Sequence, residues 1–378
     1  MVAEVVTLRG ITWDHPRGLA PLRALDRFGV HLQVSWSARS LQEFADVPIE
    51  RLVDDYDLLV IDHPHLPIVA RDGLLVQLDG AGHDEELSEI EKQSVGASHS
   101  SYWYGGHQYA LAIDAAAQVS VYRPDLISAP PQSWEGVLEL AGEGRVLWPG
   151  KPVDAMSSFL TLCAARGAAV CSTEESFVPR EDGLAALDLL HQLVDDVGGS
   201  WANDDPIAVA ERLSGGDRWC YAPLVFGYVN YSRPGFRPHR LTYTDLPAGS
   251  RGPVGSCLGG AGIAVSSRTA WPAAAVSYAF FLASAETQRG TYYWSGGQPG
   301  NSVAWEDQQI NGDCMDFFTS TRATLEGAVV RPRHPGWIEL QELLGAAVHA
   351  ALDRSISDDQ CLLMIEEGRE RVLQEVQP

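Results

Sequence analysis

Between Tyr109 and Tyr122 the chain reads YALAIDAAAQVSVY, two apolar, β-forming runs (Tyr109 to Ile113 and Gln118 to Tyr122) split by Asp114, Ala115, Ala116 and Ala117. A strand, a polar break and a second strand describe one chain leaving one sheet and entering another, and we read this segment as a crossing between two lobes. The length agrees: 378 residues, at about 150 per domain, make roughly two domains.

On either side of the crossing, short β-rich segments alternate with longer ones of helical period, the pattern of a parallel α/β sheet. Strands are expected at Glu4 to Trp13, His31 to Ser35, Asp57 to Ile61 and Leu74 to Leu78. Leu19, Leu22, Leu25 and Phe28 mark a helix stopped by Gly29, and another is expected near Ser40 to Phe44. Beyond the crossing, helices are expected at Trp134 to Leu140, Ala155 to Ala165 and Gly183 to Val197, with strands at Arg145 to Trp148 and Trp219 to Leu224. Leu184, Leu187, Leu190, Val194 and Val197 share one helical face. The glycine-rich GGAGIAVSS leads a strand at Ile263 to Ser266 and an alanine-rich helix at Pro272 to Ala285, a return to the first lobe, and the tail holds two helices.

Composition removes several function classes. Lys and Arg number 27 against 50 Asp and Glu, a net charge of −23, so nucleic acid and anionic membrane are poor partners. No apolar stretch reaches the roughly 20 residues a spanning helix needs, so no membrane insertion is expected. Six scattered cysteines without a CxxC pair read as buried thiols in a reducing compartment. Residues 1–12 carry no basic and apolar export signal, so the chain as written is addressed to the cytoplasm, or outside it if a signal has been removed. GxSxG, HExxH and GxxxxGK[ST] are absent.

The order of segments resembles one family over nearly the whole chain. A strand and Trp-containing turn, DLLVIDHP, GLLVQLD, GGHQYALAIDAAAQVSVYRPDL with PQSWEGVLELA behind it, and later GGAGIAVSS and YYWSGGQPGNSVAW are each similar to counterparts in the extracellular solute-binding proteins of family 1, carbohydrate-type receptors of ABC importers. The resemblance implies a two-lobed, periplasmic-binding-protein-like (type II) α/β fold, each lobe a mostly parallel sheet flanked by helices, with hinge crossovers. Lobe 1 would be 1–114 plus 255–311, and lobe 2 115–254 plus 312–378, the C-terminal helices packing mainly on lobe 2. A monomer is expected, with a sugar-like ligand in the interlobe cleft, no cofactor, and an ABC permease as partner if the protein is exported.

Ligands of open α/β sheets sit beyond the carboxyl ends of strands. Trp13, Asp14, His15 and Arg17 follow the first strand, Asp62, His63 and His65 the third, and Asp114 stands at the crossing, where the family places a polar ligand contact. In the binding reading the carboxylates accept ligand hydroxyls, Arg17 donates a planar fork, and Trp13 offers a flat face. Trp148 and Trp294 adjoin turns at which the family's contacts fall, and Tyr221, Tyr228, Gly260 and Gln298 complete the expected set. A structural alternative has Asp14 capping a helix, Arg17 paired with a nearby carboxylate and the histidines bonded to loop carbonyls. A chemical alternative is a cytoplasmic enzyme on the same scaffold, with a divalent metal held by His15, Asp62, His63 and His65, or with Cys220 or Cys257 as nucleophile. A ligand sensor presenting its closed form to a protein partner is a third reading.

Overall fold

The computed structural model describes residues 5–170, 176–197, 201–249 and 251–375. Glu4 and Cys171 lie outside them. The chain divides into two compact units, Met1–Ala115 with Gly259–Gly312 and Ala116–Leu258 with Asp313–Pro378. The strands in chain order are β1 (Val6–Trp13), β2 (Arg27–Phe28), β3 (Leu32–Arg39), β4 (Leu58–Ile61), β5 (Trp103–Tyr104), β6 (His107–Gln108), β7 (Ala110–Tyr122), β8 (Tyr221–Phe226), β9 (Thr242–Thr244) and β10 (Leu258–Val265).

In unit 1 the sheet order is β2-β3-β1-β4-β10-β7. β3 runs parallel to β1 from Val6↔Leu32 to Trp13↔Arg39, and β4 is parallel to β1 through Gly10↔Leu58 and Ile11↔Leu59. β10 then runs antiparallel to β4, Ile61 opposite Gly262. All four residues of β4 are buried, as a strand covered on both faces requires. The helix Pro16–Ala24 ends at Leu25, and Phe28 belongs to β2, so the expected helix is shorter than its apolar spacing suggested. Leu74 to Leu78 makes one antiparallel bridge, Leu75 to Ser266, and no strand.

In unit 2, β7 pairs antiparallel with both β8 and β9. Arg145 to Trp148 contributes only a parallel bridge, Val146 to Tyr221. The mostly parallel sheet expected for each lobe is therefore corrected to a mixed sheet, parallel among β3, β1 and β4 of unit 1 and antiparallel among the strands of unit 2. Apolar runs report burial on both faces and are silent about direction. The helix Pro152–Arg166 starts with Pro152 and stops at Gly167 in the left-handed region (φ +95°), the paired start and stop signals of a helix. The helix Trp337–Leu352 lies so close to it that a Cβ at Gly345 would meet the Pro152 carbonyl oxygen at 2.7 Å. The final helix, Asp358–Glu375, packs on the helix Arg180–Asp196, with Leu362 against Gly183.

Candidate functional site

The register of unit 1 sets several expected residues along one edge of its sheet. β1 and β4 are parallel neighbours, so the turns after Trp13 and Ile61 leave the same edge, and antiparallel β10 enters there through Gly260. Gly260 adopts φ +103°, and a Cβ on it would meet the backbone oxygen of Asp114 at 2.4 Å. That close approach is to the crossing strand itself, and it ties Asp114 to the same edge.

Arg17 and Asp114 are joined there. Arg17 Nε donates to Asp114 Oδ2 at 2.7 Å and its Nη2 donates to Oδ1, a fork matched to a carboxylate. The Arg17 side chain is 5% exposed and that of Asp114 is 0%. Burial pushes the Asp114 carboxyl above its usual range while Arg17 pulls the other way. Tyr292, which the sequence reading passed over inside YYWSGG, is buried beside the pair: burial first, then the Asp114 charge, pushes its phenol up. The pairing of Arg17 with a carboxylate is thus observed, with a partner 97 positions away in the chain.

Around this pair the other side chains take defined places. His15, not Asp14, caps the helix Pro16–Ala24, its Nδ1 accepting from the Arg17 backbone N–H at 3.0 Å. Asp14 is exposed and its backbone N–H donates to Arg39 O at 2.7 Å. Asp62 Oδ1 accepts from the His63 N–H at 2.8 Å and caps the short turn His63–His65. His63 and His65 are both buried, His63 edge-on to Tyr102 with centroids 6.4 Å apart. Gln298 is buried and its Nε2 donates to Ala115 O at 2.8 Å, tying it to the backbone of β7. Trp13 is corrected from a stacking face to a core residue: it lies 5.3 Å from Phe44 and fills the space a Cβ at Gly18 would need. Trp294, by contrast, is 48% exposed.

Among the described residues no three His, Cys, Asp or Glu side chains are placed to hold a metal ion, so the metal alternative at His15, Asp62, His63 and His65 is corrected. His15 Nδ1 and Asp62 Oδ1 serve backbone N–H groups instead.

In unit 2 the expected contacts are interior. Trp148 is buried, its Nε1 donating to Ser158 Oγ at 3.3 Å and its ring 5.7 Å from Trp201. Tyr221 is buried with its hydroxyl 2.9 Å from Ser120 Oγ, and Tyr228 is buried at the turn after β8. Trp148 and Tyr221 belong to the hydrophobic core of unit 2, because an aromatic at the end of an apolar strand is as useful to a core as to a ligand. Cys220 and Cys257 are buried too, and burial pushes the Cys220 thiol up, away from the thiolate a nucleophile requires. The structure places both cysteine candidates in the interior.

A family model described as bacterial extracellular solute-binding protein matches residues 49–314, more than half of the chain. The chain belongs to that family. This solute-binding protein is similar in structure to maltose-bound MalE3 of T. maritima, with 17% identity, a TM-score of 0.83, and 98% of this chain and 100% of that chain covered. It is similar also to an ABC transporter solute-binding protein from Agrobacterium radiobacter K84 in complex with ribitol, with 20% identity, a TM-score of 0.78, and 98% and 99% covered. UgpB from Mycobacterium tuberculosis, in complex with glycerophosphocholine, matches with 17% identity, a TM-score of 0.77, and 98% and 99% covered. At these identities the likeness establishes the fold, which is the periplasmic-binding-protein architecture that the order of segments implied. Among the described residues no helix is long and apolar enough to cross a membrane.

Proposed function

We propose that this solute-binding protein captures a carbohydrate or polyol by non-covalent contacts and delivers it to an ABC permease from outside the cytoplasmic membrane. The observation that carries the reading is the family match over residues 49–314. Relatives of the same fold bound to maltose and to ribitol support the ligand class, and the family's extracellular character supports the location. Three residues at or beside turns of unit 1 keep accessible groups for such a ligand: the carboxylate of exposed Asp14, that of half-buried Asp62, and the indole face of Trp294. A carboxylate accepts two hydroxyl hydrogen bonds at once, and an indole covers the apolar face of a sugar ring.

The test is calorimetric titration of the purified chain with maltose, ribitol, mannitol and glycerophosphocholine. Saturable, one-to-one heat with a sugar or polyol is the expected result. A folded protein that ignores the whole panel, or that binds only the phosphodiester, overturns the ligand class. Trp294→Ala is expected to weaken the sugar or polyol by about tenfold, the scale of one lost aromatic contact.

A further inference from the structure

Unit 1 also carries a groove that shares no residue with the turns above. It lies between the helices Asp84–Lys92 and Pro272–Ala283, encloses about 510 Å³, and lies within the usual range of small-molecule sites of roughly 300–1,000 Å³. Its two walls differ in chemistry, because each helix turns an i, i+3, i+4 face into it. From Asp84–Lys92 come Glu86, Glu89 and Ile90, and from Pro272–Ala283 come Ser277, Phe280 and Phe281. Phe28 closes the apolar side, its ring 4.8 Å from that of Phe281.

The acidic wall is held in place on the protein's own terms. His83 stacks on Phe280 with centroids 4.6 Å apart and an interplanar angle of 17°, and its ring nitrogens lie 3.3 Å from Ser277 Oγ and 3.4 Å from Glu86 Oε1, so the imidazole links the two helices. Gln93 Nε2 donates to Glu89 Oε1 at 2.7 Å, and Lys92 Nζ stands 3.9 Å from Glu89 Oε2. The segment DEELSEIEK holds five carboxylates against that one lysine, and Glu86 and Glu89 are the two that line the groove, so this wall is the negative one. Opposite it stand the half-buried phenyl rings of Phe28 and Phe281, and aromatic faces attract cations in their own right.

We infer that this groove binds an organic ammonium ion carrying an aromatic or apolar body, the ammonium facing Glu86 and Glu89 and the body lying on the half-buried Phe28 and Phe281. The charge selects cations over the neutral sugars proposed for the turns, and the net charge of −23 draws cations toward the protein as a whole. This site stands or falls independently of the sugar reading.

Three probes with one apolar body separate the contributions: phenethylammonium, phenylethanol and phenylpropionate, each titrated by calorimetry and by backbone amide shifts. Phenethylammonium is expected to bind saturably and to shift the amides of Ile90 and Ser277, while the alcohol binds more weakly and the carboxylate not at all. Glu86→Gln with Glu89→Gln, both exposed and therefore tolerant positions, is expected to weaken the cation by about tenfold, as loss of two solvent-facing ion pairs implies. The same double variant leaves sugar titrations unchanged. Equal affinity for all three probes, or a cation affinity indifferent to the double substitution, overturns the inference. So does a groove that takes a lysine-rich amphipathic peptide but not phenethylammonium, which would make it a protein-docking surface.

Discussion

The two halves of β7 solve the same problem in opposite ways. Each carries a fully buried polar side chain, Asp114 in unit 1 and Gln118 in unit 2, and neither can be left without partners in an apolar interior. Asp114 is satisfied by one charged fork from Arg17. Gln118 is satisfied by neutral groups throughout: its Nε2 donates to Ser158 Oγ (3.2 Å) and Leu224 O (3.0 Å), and its Oε1 accepts from Thr161 Oγ1 (2.6 Å). The network extends outward, with the Cys257 N–H on Thr161 Oγ1 and Trp148 Nε1 on Ser158 Oγ. A charged pair concentrates its energy in one contact, so losing either member exposes the other to the full cost of burial. A neutral net spreads the same task over several modest bonds.

The sharpest way to break this comparison is Asp114→Ala. It takes the paired carboxylate away from the buried Arg17 guanidinium and should cost about 3–5 kcal/mol in chemical denaturation of the protein. Arg17→Met with Asp114→Leu should return much of that loss, since an apolar pair of similar volume needs no solvation. A single substitution costing under about 1 kcal/mol would show that the buried pair is not structural.

Next comes acid. Near the start of β7, Gln108 Nε2 bridges the carbonyls of His99 (3.0 Å) and Ala110 (2.7 Å). Burial pushes the His99 imidazole from 6.5 down to about 4. Between those values the unfolded chain takes up a proton that the folded chain refuses, so stability falls as pH drops through the window and is fully present above it. The loss is on the order of 3 kcal/mol, and His99→Gln should flatten this part of the stability profile. An unchanged slope in the variant would assign the acid sensitivity to other groups.

Gln118→Ala should cost about 2 kcal/mol, less than the loss of Asp114, because its partners are neutral and can re-pair or admit water. If its cost equals or exceeds that of Asp114→Ala at neutral pH, the contrast between a concentrated and a distributed solution fails. The smallest effect is expected from Trp294→Ala: an unfolding free energy within about 0.5 kcal/mol of the parent, alongside the weakened sugar affinity already described.

Much of the scaffold could be read in advance because it is written in periodicity. Leu187, Leu190 and Val194 do face the core from one helix, and DLLVI does supply a buried parallel strand in Leu58–Ile61. What escaped was whatever depends on partners distant in the chain. Asp114 looked like a break between two runs because its residue type is polar, yet the strand passes through it unbroken, since Arg17 neutralises it from 97 positions away. Strand direction in unit 2 escaped for the same reason, as did the single-bridge contacts at Leu75 and Val146. Among the candidate ligand residues, the reading of strand ends picked out Arg17 and Asp114 as residues of one locus, but it could not tell a wet carboxylate from a dry one. Trp13 and Trp148 were misjudged because an indole serves a core and a sugar equally well.

The glycine at 260 makes one position in β10 answerable to the backbone of another strand. Any L-residue there must both adopt a left-handed φ and press a methyl against the Asp114 carbonyl. The carbonyl and the carboxylate of Asp114 share one α-carbon, so that pressure would be transmitted as a twist on the charged fork below. A saturation library at codon 260, sorted for soluble protein, should therefore return glycine alone.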